Sequence, residues 1–168
     1  MSPFKVVEIE HIDRVEASYR RLHPRLWHAL YAYAGDHEIA TEAEAEAFAQ
    51  VLRRGSDVRN VDAWTWRSAF RIAGGLLSKR SRYEATWGHG RDQANSAHQS
   101  VDNDALVEFI DQLSTLSDQQ RAVVVLRYVG LFTPAEIADL LHTSSGTVRV
   151  QLHRAHERLR LSMERTHE

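Results

Sequence analysis

The chain has 168 residues, a formal net charge of −2 and no cysteine. This length allows one domain or two small ones, and the lack of cysteine excludes disulfides, thiolate zinc sites and cysteine nucleophiles. The chain as a whole lacks the strongly positive charge that is typical of nucleic-acid-binding proteins. Any attraction to DNA must therefore come from local basic patches. No apolar run is long enough for a bilayer, and the N-terminus is too acidic for a signal peptide. We therefore expect a cytoplasmic protein without membrane insertion.

Helical periodicity runs through most of the chain, and strand patterns are nearly absent. The first predicted helix covers about residues 12–22, and Pro24 interrupts it and begins a second helix with a wide apolar band. The predicted buried side of the first helix consists of Ile12, Val15, Tyr19 and Leu22. This pattern predicts that the N-terminal part of the chain is a helical bundle.

Two further helices are predicted in this part of the chain. Gly35 ends the second helix, and Asp36 caps a third, whose carboxylates come early and whose arginines come late, as the helix dipole favours. A loop follows at residues 55–60. Asp62 is the predicted cap of the fourth helix, and Trp66 lies on its apolar stripe.

Helical periodicity stops between about Tyr83 and Asn103, where the sequence is polar and contains glycine and serine. We interpret this segment as a flexible linker. The predicted fold is all-α, with two small helical domains at residues 12–82 and 104–164 joined by the linker at 83–103.

The last third of the chain has the pattern of a helix-turn-helix. Thr133 is an N-cap hydroxyl followed by Pro134 at the first helical position and by Glu136 three residues on, which is a capping box. Ser144 caps a second helix with a buried stripe at helical spacing. The faces left exposed carry side chains suited to phosphates and base edges, namely Thr147, Arg149, Gln151, Arg154, Arg158 and Arg160.

An ordinary helical hairpin with a solvated basic face is the alternative to a DNA-binding motif. The residues upstream favour an independent small domain. Asp104 is the predicted cap of one helix, Ser117 and Gln120 form a further capping box, and Gly130 is the predicted C-cap of that second helix.

A basic stretch in the first module is interleaved with two tryptophans. Cations neutralise phosphates and flat rings stack on exposed bases, which is what binding of separated DNA strands requires. Tryptophans at helical spacing are, however, more often core residues. Trp66 lies on the apolar stripe of its helix and is therefore predicted to be a core residue. This leaves Trp64 as the candidate for base stacking.

With these motifs in order, the sequence resembles the extracytoplasmic-function sigma factors of bacterial RNA polymerase. The resemblance is strongest from LSDQQRAVVVLRY to RAHERLR, which is similar to region 4 of that family. The segments YRRLHPRLWHALYAYAGDHEIA and DAWTWRSAFRIAGGLLSKR are similar to the two ends of region 2.

The resemblance implies a transcription initiation factor without catalytic activity, cofactor or metal. Its partners would be core RNA polymerase, promoter DNA and an anti-sigma regulator. Region 4 would read the minus-thirty-five element with Ser145, Thr147, Arg149, Gln151 and Arg154. Region 2 would bind the melted minus-ten strand with Arg59, Asn60, Trp64, Arg67 and Arg71. The polymerase-binding residues would be Glu42, Glu46 and Phe48.

The chain departs from the family pattern at several positions. Glu44 and Ala45 stand where a branched apolar residue and a glutamine are usual, and we expect this change to weaken the polymerase contact. Family members often have an asparagine at the position of Arg71. At the position of Gln151 they frequently have an arginine or a lysine. His142 occupies a turn position commonly held by glycine, although histidine is enriched at positive φ.

Two other functions are alternatives. A free-standing helix-turn-helix regulator would need a sensing module, but no receiver-type α/β pattern is visible. The ten histidines suggest an enzyme. Their spacing argues against it, since His153 and His156 share a helix face without a third metal ligand.

Overall fold

Seven α-helices account for most of the residues, 3–88 and 104–166, that the computed structural model describes. The N-terminal module consists of α1 (Pro3–Ala34), α2 (His37–Arg54), a 3₁₀ turn (Gly55–Asp57) and α3 (Val61–Trp87). The C-terminal module consists of α4 (Asp104–Leu113), α5 (Asp118–Tyr128), α6 (Pro134–Leu141) and α7 (Ser145–Thr166). Within the described ranges there is no strand, which confirms the all-α prediction.

A single helix, α1, replaces the two that Pro24 was expected to separate, so that prediction is wrong. Proline removes one backbone donor, but packing can hold a helix through it. Leu22 and Leu26, on either side of Pro24, are both buried at 2% and 0% exposure. The continuous apolar contact of α1 with α2 and α3 therefore outweighs the missing hydrogen bond.

The predicted buried side of the first helix is only half right. Val15 and Leu22 are buried, whereas Ile12 and Tyr19 are 48% and 42% exposed. Ser18 is buried instead, because its hydroxyl donates to Asp62 Oδ1 on α3 at 2.7 Å. The periodicity identified the helix, but a polar contact with another helix decided which face is inside.

Helix caps were predicted correctly for α2 and incorrectly for α3. Asp36 caps α2, since its carboxylate accepts from the amide of Ile39 at 2.9 Å. The cap of α3 is Asn60. Asp62 is the second residue of the helix, and it pairs with Arg21 of α1. Burial alone raises the pKa of Asp62, but the hydrogen bonds from Arg21 and Ser18 outweigh it and lower the pKa.

The helix α3 extends five residues beyond the predicted end of the first domain, through Trp87. The rings of Tyr83 and Trp87, one turn apart, lie 6.4 Å from each other. Gly88 then ends the helix in the left-handed conformation at φ 65°. Residues 83–87 are therefore helical, and residues 89–103 of the predicted linker lie outside the described residues.

The predicted helix ends of the C-terminal module are confirmed in part, since Asp104 is the first residue of α4 and not the residue before it. Capping boxes form at Ser117 with Gln120 and at Thr133 with Glu136. Gly130 is not the C-cap of α5, because Val129 holds that position in a helical conformation. Gly130 instead follows it and donates its amide to the carbonyl of Val125 at 3.0 Å.

The two modules lie against each other. The helix α1 contacts α4 and α5, and α3 contacts α6. The side of α3 that carries the basic and aromatic residues therefore faces the C-terminal module. Within the described ranges, no helix combines the length and apolar character needed to cross a membrane.

Candidate nucleic-acid interface

The turn between α6 and α7 is short and fixed at both ends. His142 ends α6 in the left-handed conformation at φ 52° and ψ 49°, which confirms its predicted role in the turn. The next residue, Thr143, donates its amide to the carbonyl of Ala138 at 2.9 Å. Ser144 then caps α7 by accepting from the amide of Thr147 at 3.1 Å. These contacts set the direction in which α7 leaves the turn.

One side of α7 is buried and the other is open. Val148, Leu152 and Ala155 face the core of the module, as the spacing predicts. Arg149 and Arg154 are exposed, and neither guanidinium has an ion pair among the described residues. Both arginines are therefore accessible to a phosphate or to a base edge.

The remaining predicted residues of α7 are less accessible. Ser145, Thr147 and Gln151 are half-buried. The hydroxyl of Thr147 lies 2.9 Å from that of Ser144, and the Gln151 amide donates to Gln119 Oε1 on α5 at 3.2 Å. This contact uses one of the two N–H donors of the Gln151 amide, which leaves the second donor and the amide oxygen for a base edge.

In the N-terminal module, four of the five residues predicted to bind a separated strand meet at one cleft. The cleft has a volume of about 320 Å³ and includes Arg59, Asn60, Trp64 and Arg67 in its lining. Trp64 is half-buried, and the guanidinium of Arg54 lies 5.5 Å from the centroid of its ring. Arg54 was absent from the predicted site, although it belongs to the same basic run. A cation next to a ring that can stack matches the chemistry of an unpaired nucleotide.

The loop that forms one wall of this cleft is fixed by α1. Arg14 donates to the carbonyls of Val58 and Arg59 at 3.0 and 3.1 Å. Asn60 uses its side-chain oxygen to cap α3, because it accepts from the amide of Ala63 at 3.0 Å. The contact of Arg14 joins residues 44 positions apart, so the sequence pattern gave no sign of it.

Arg71 lies apart from this cleft, in a second one between the modules. This second cleft has a volume of about 350 Å³. Its lining from the N-terminal module is Tyr33, Arg54, Trp64, Arg67, Ser68, Phe70 and Arg71, and from the C-terminal module Ala122, Leu140, Leu141 and His142. Arg71 is exposed and donates to Gln50 Oε1 at 3.4 Å. Trp64 and Arg67 border both clefts, so the two form one continuous basic and aromatic surface.

The predicted polymerase-binding residues differ in their accessibility. Glu42 is exposed. Glu46 accepts from Gln50 at 2.9 Å and from Arg53 at 2.7 Å, and these hydrogen bonds lower its pKa. Phe48 is 7% exposed and packs edge-on against the ring of Tyr19. Tyr19, which is 42% exposed, therefore offers an aromatic side chain to solvent here, with Phe48 packed against it.

Glu44 lies inside the module, unlike the exposed Glu42 on the same helix. It is 5% exposed, and its Oε2 lies 2.8 Å from Nδ1 of His23 on α1. Burial raises the pKa of Glu44, and the hydrogen bond and charge of His23 only partly oppose that effect. Glu44 thus places a carboxylate in the packing between α1 and α2.

The two histidines on α7 have different surroundings. His153 is exposed, and Nε2 of His156 lies 2.9 Å from the hydroxyl of Tyr128. Across the described residues, no three histidine, aspartate or glutamate side chains come together in a way that could hold a metal ion.

Comparison with known proteins covers both modules. Residues 106–159 match the family model for sigma-70, region 4. The whole fold is similar to that of the sigma factor RpoE from Bartonella quintana, solved in complex with the anti-sigma factor NepR. That match has a TM-score of 0.71 at 17% sequence identity and covers 89% of this chain and 96% of that one. No curated protein matches the chain in sequence.

Proposed function

We propose that the chain is a sigma factor of the extracytoplasmic-function type, which binds bacterial core RNA polymerase and directs it to promoters through minus-ten and minus-thirty-five contacts. Its role is transcription initiation. The observation that carries the proposal is the region 4 match over residues 106–159, where α7 presents unpaired arginines beyond a fixed turn. We assign region 4 to residues 104–164 and region 2 to residues 12–82 together with the last turn of α3.

Region 4 would place α7 in the major groove of the minus-thirty-five element. The exposed Arg149 and Arg154 are the residues best placed for direct contact, since guanidinium groups pair with guanine edges and with phosphates. Ser145 and Thr147, in the first turn of α7, suit a backbone phosphate, which helix N-termini favour. Gln151 completes the reading face with the amide groups that the contact with Gln119 leaves free.

Region 2 would capture the melted minus-ten strand on the basic and aromatic surface around Trp64. An unstacked base would lie against the Trp64 ring, and stacking of this kind contributes about 1–3 kcal/mol per base. Arg59, Arg67 and Arg71 would neutralise phosphates of the same strand, with Asn60 at the edge of the cleft. This binding offsets the unpairing cost of a few kcal/mol.

Neither contact is large enough to hold a promoter by itself. Attachment of both regions to one polymerase raises their effective concentration at the DNA, so two modest contacts become sufficient. The polymerase-binding face would be the exposed side of α2 with Glu42 and Glu46. Phe48 would contribute from beneath, by supporting Tyr19.

An anti-sigma regulator is a further proposed partner. The solved sigma factor of similar fold was crystallised with its anti-sigma factor. A regulator of this class would compete with polymerase for one or both regions of this chain. A factor that works on polymerase would also act in the cytoplasm.

The test is run-off transcription with core polymerase, this protein and genomic DNA, with start sites mapped. We expect initiation at a small set of promoters that share two elements. The competing function is a free-standing helix-turn-helix regulator. Nanomolar binding of the purified protein to duplex promoter, without polymerase and without promoter-dependent initiation, would favour that regulator and reject the sigma factor role.

A further inference from the structure

A third cleft shares Arg59 and Asn60 with the cleft at Trp64. It lies between α1 and the first turn of α3, and its volume is about 370 Å³, which is similar to that of the cleft at Trp64. All of its lining residues belong to region 2, and they include Arg14, Ala17, Arg21, Arg59, Asn60 and Asp62. We use the term α1 cleft for this site.

Positive charge exceeds negative charge in the lining of the α1 cleft. Three of the lining side chains are arginines, and Asp62 is the acidic residue among them. Both carboxylate oxygens of Asp62 already accept hydrogen bonds from Arg21 at 2.7 to 3.1 Å, and one of them also accepts from Ser18 at 2.7 Å. The charge of Asp62 is therefore balanced by Arg21, and Arg14 and Arg59 are the cations in excess.

The two excess cations are available to an anion in different ways. Nη2 of Arg14 donates to the carbonyls of Val58 and Arg59 at 3.0 and 3.1 Å, so this guanidinium is fixed against the loop. The side chain of Arg59 is exposed, and neither arginine has an ion pair among the described residues. Guanidinium groups present several N–H donors in a planar fork, which matches the oxygens of a phosphate.

The first turn of α3 adds to the same positive field. Val61 and Asp62, the first two residues of this 27-residue helix, line the α1 cleft directly after the N-cap Asn60. A helix N-terminus carries partial positive charge and offers backbone amides to anions. None of the described residues that line the cleft is aromatic, so it lacks a ring on which a base could stack. A phosphate group is therefore the part of a nucleotide that this cleft fits.

From these observations we propose that the α1 cleft binds a phosphate group of the melted strand, next to the nucleotide that stacks on Trp64. Arg59 and Asn60 line both clefts, so one strand can cross these two residues with a base in one cleft and a phosphate in the other. This inference rests on the proposed function, because it assumes that the surface around Trp64 binds a DNA strand. It adds Arg14 and Arg21 of α1, a helix to which the sequence predictions assigned no DNA contact.

The first measurement is nuclear magnetic resonance of the full chain, labelled with nitrogen-15 and without polymerase. The probes are a pentathymidylate strand, the same strand with uncharged methylphosphonate linkages, and inorganic phosphate. We expect the natural strand to shift the indole resonance of Trp64 and the amide resonances of Val61 and Asp62. The uncharged strand should shift the indole and leave the two amides in place.

Two results of this titration would overturn the proposal. If the two amides respond equally to both strands, the group bound in the α1 cleft is not a phosphate. If they respond to inorganic phosphate and not to the natural strand, the cleft is a site for free phosphate and takes no part in strand binding.

The second measurement uses variants of Ala17, which is exposed and lies between Arg14 and Arg21 on α1. Ala17→Glu places a carboxylate one turn from each arginine, where it pairs with them in place of a phosphate. Ala17→Gln introduces a side chain of the same size without the charge, and both residues suit a helix. Arg20→Gln is the control, because it changes the net charge by the same amount on the same helix. Arg20 is exposed, pairs with Glu16 and does not line the cleft.

These variants are compared by fluorescence titration of the pentathymidylate strand at several salt concentrations. We expect Ala17→Glu to bind about tenfold more weakly than Ala17→Gln, which corresponds to loss of one charge-assisted hydrogen bond. The slope of log K against log salt should decrease by about 0.7, the value for one phosphate of a single strand. Arg20→Gln should keep the affinity of the parent chain. Equal affinities for Ala17→Glu and Ala17→Gln would overturn the proposal.

The outcomes separate this inference from the proposed function. Circular dichroism identifies a variant that has lost helix, and Ala17→Lys then carries the test in the opposite direction, with tighter binding and a steeper salt dependence. Phosphate binding in the α1 cleft without promoter-dependent initiation would support the cleft and reject the proposed function. Promoter-dependent initiation by a chain whose α1 cleft takes no phosphate would support the proposed function and reject the cleft.

Discussion

Nδ1 of His23 on α1 lies 2.8 Å from Oε2 of Glu44 on α2, and the ring of Tyr19 stacks on the imidazole at 4.9 Å between centroids. The other carboxylate oxygen of Glu44 is buried and has no hydrogen-bond partner among the described residues. This pair replaces apolar packing between two helices with a polar contact that is only partly satisfied. Its contribution to stability must therefore depend on pH.

We predict that Glu44→Gln stabilises the protein at neutral pH. Burial raises the folded-state pKa of Glu44 above the value of about 4.3 that an unfolded glutamate has. The folded state thus holds this proton more tightly, and stability falls as the pH rises from about 4.3 through the raised pKa. The glutamine removes the charge and keeps an acceptor for His23.

Urea unfolding at a series of pH values measures this effect, with the exposed Glu42→Gln on the same helix as the control. The midpoint for Glu44→Gln should move above that of the parent chain as the pH increases, while Glu42→Gln stays close to it. A variant that is less stable than the parent chain at pH 8 would show that the ionised carboxylate of Glu44 stabilises the fold.

Local signals in the sequence predicted most of the helices but not their arrangement. The capping boxes at Ser117 and Thr133 depend on residues three positions apart, so the sequence alone identifies them. The continuity of α1 through Pro24 and the burial of Glu44 depend on other helices, which the sequence pattern does not place. The predicted DNA-binding residues rest on the family resemblance, while the contact of Phe132 with Trp66 joins two modules that looked independent.

We predict that Thr133→Ala lowers the free energy of unfolding by about 1 kcal/mol, the usual cost of losing an N-cap hydroxyl. The hydroxyl accepts from the amide of Glu136 at 3.3 Å, and the Glu136 carboxylate accepts from the amide of Thr133 at 2.7 Å. Glu136→Gln preserves this reciprocal arrangement and should cost much less. Chemical unfolding compares the two variants, and equal losses would contradict a capping role for the threonine.

The stabilising effect of the capping box at Thr133 and Glu136 should also depend on pH. The backbone and side-chain hydrogen bonds from Thr133 lower the pKa of Glu136. Its contribution to stability is therefore present above the unfolded value of about 4.3 and is lost as the pH falls through the lower folded-state pKa. Unfolding midpoints below pH 5 should fall less steeply for Glu136→Gln than for the parent chain, and identical slopes would count against the box.

We predict that Trp64→Ala impairs promoter melting and leaves upstream recognition intact. The ring lies under the Arg54 guanidinium at the edge of the cleft proposed to bind the strand, so its loss should remove about 1–3 kcal/mol of base stacking. Trp64→Phe should retain part of the effect. Permanganate reactivity of unpaired thymines in the polymerase complex reports melting, with the exposed Trp87→Ala at the end of α3 as the control. Full melting by Trp64→Ala would remove this residue from the strand-binding surface.

The reading face of α7 can be tested at Arg149, which is exposed and has no ion pair among the described residues. If Arg149 contacts a base, Arg149→Ala should cost about 1–3 kcal/mol at the upstream element and relax preference at one position. If it contacts only a phosphate, all upstream sequences should weaken equally, and the salt dependence should decrease by about one phosphate contact. Run-off transcription from a library of upstream elements separates the two, with Arg165→Ala near the end of α7 as the control. Unchanged promoter choice together with unchanged salt dependence would mean that a different side of α7 faces the DNA.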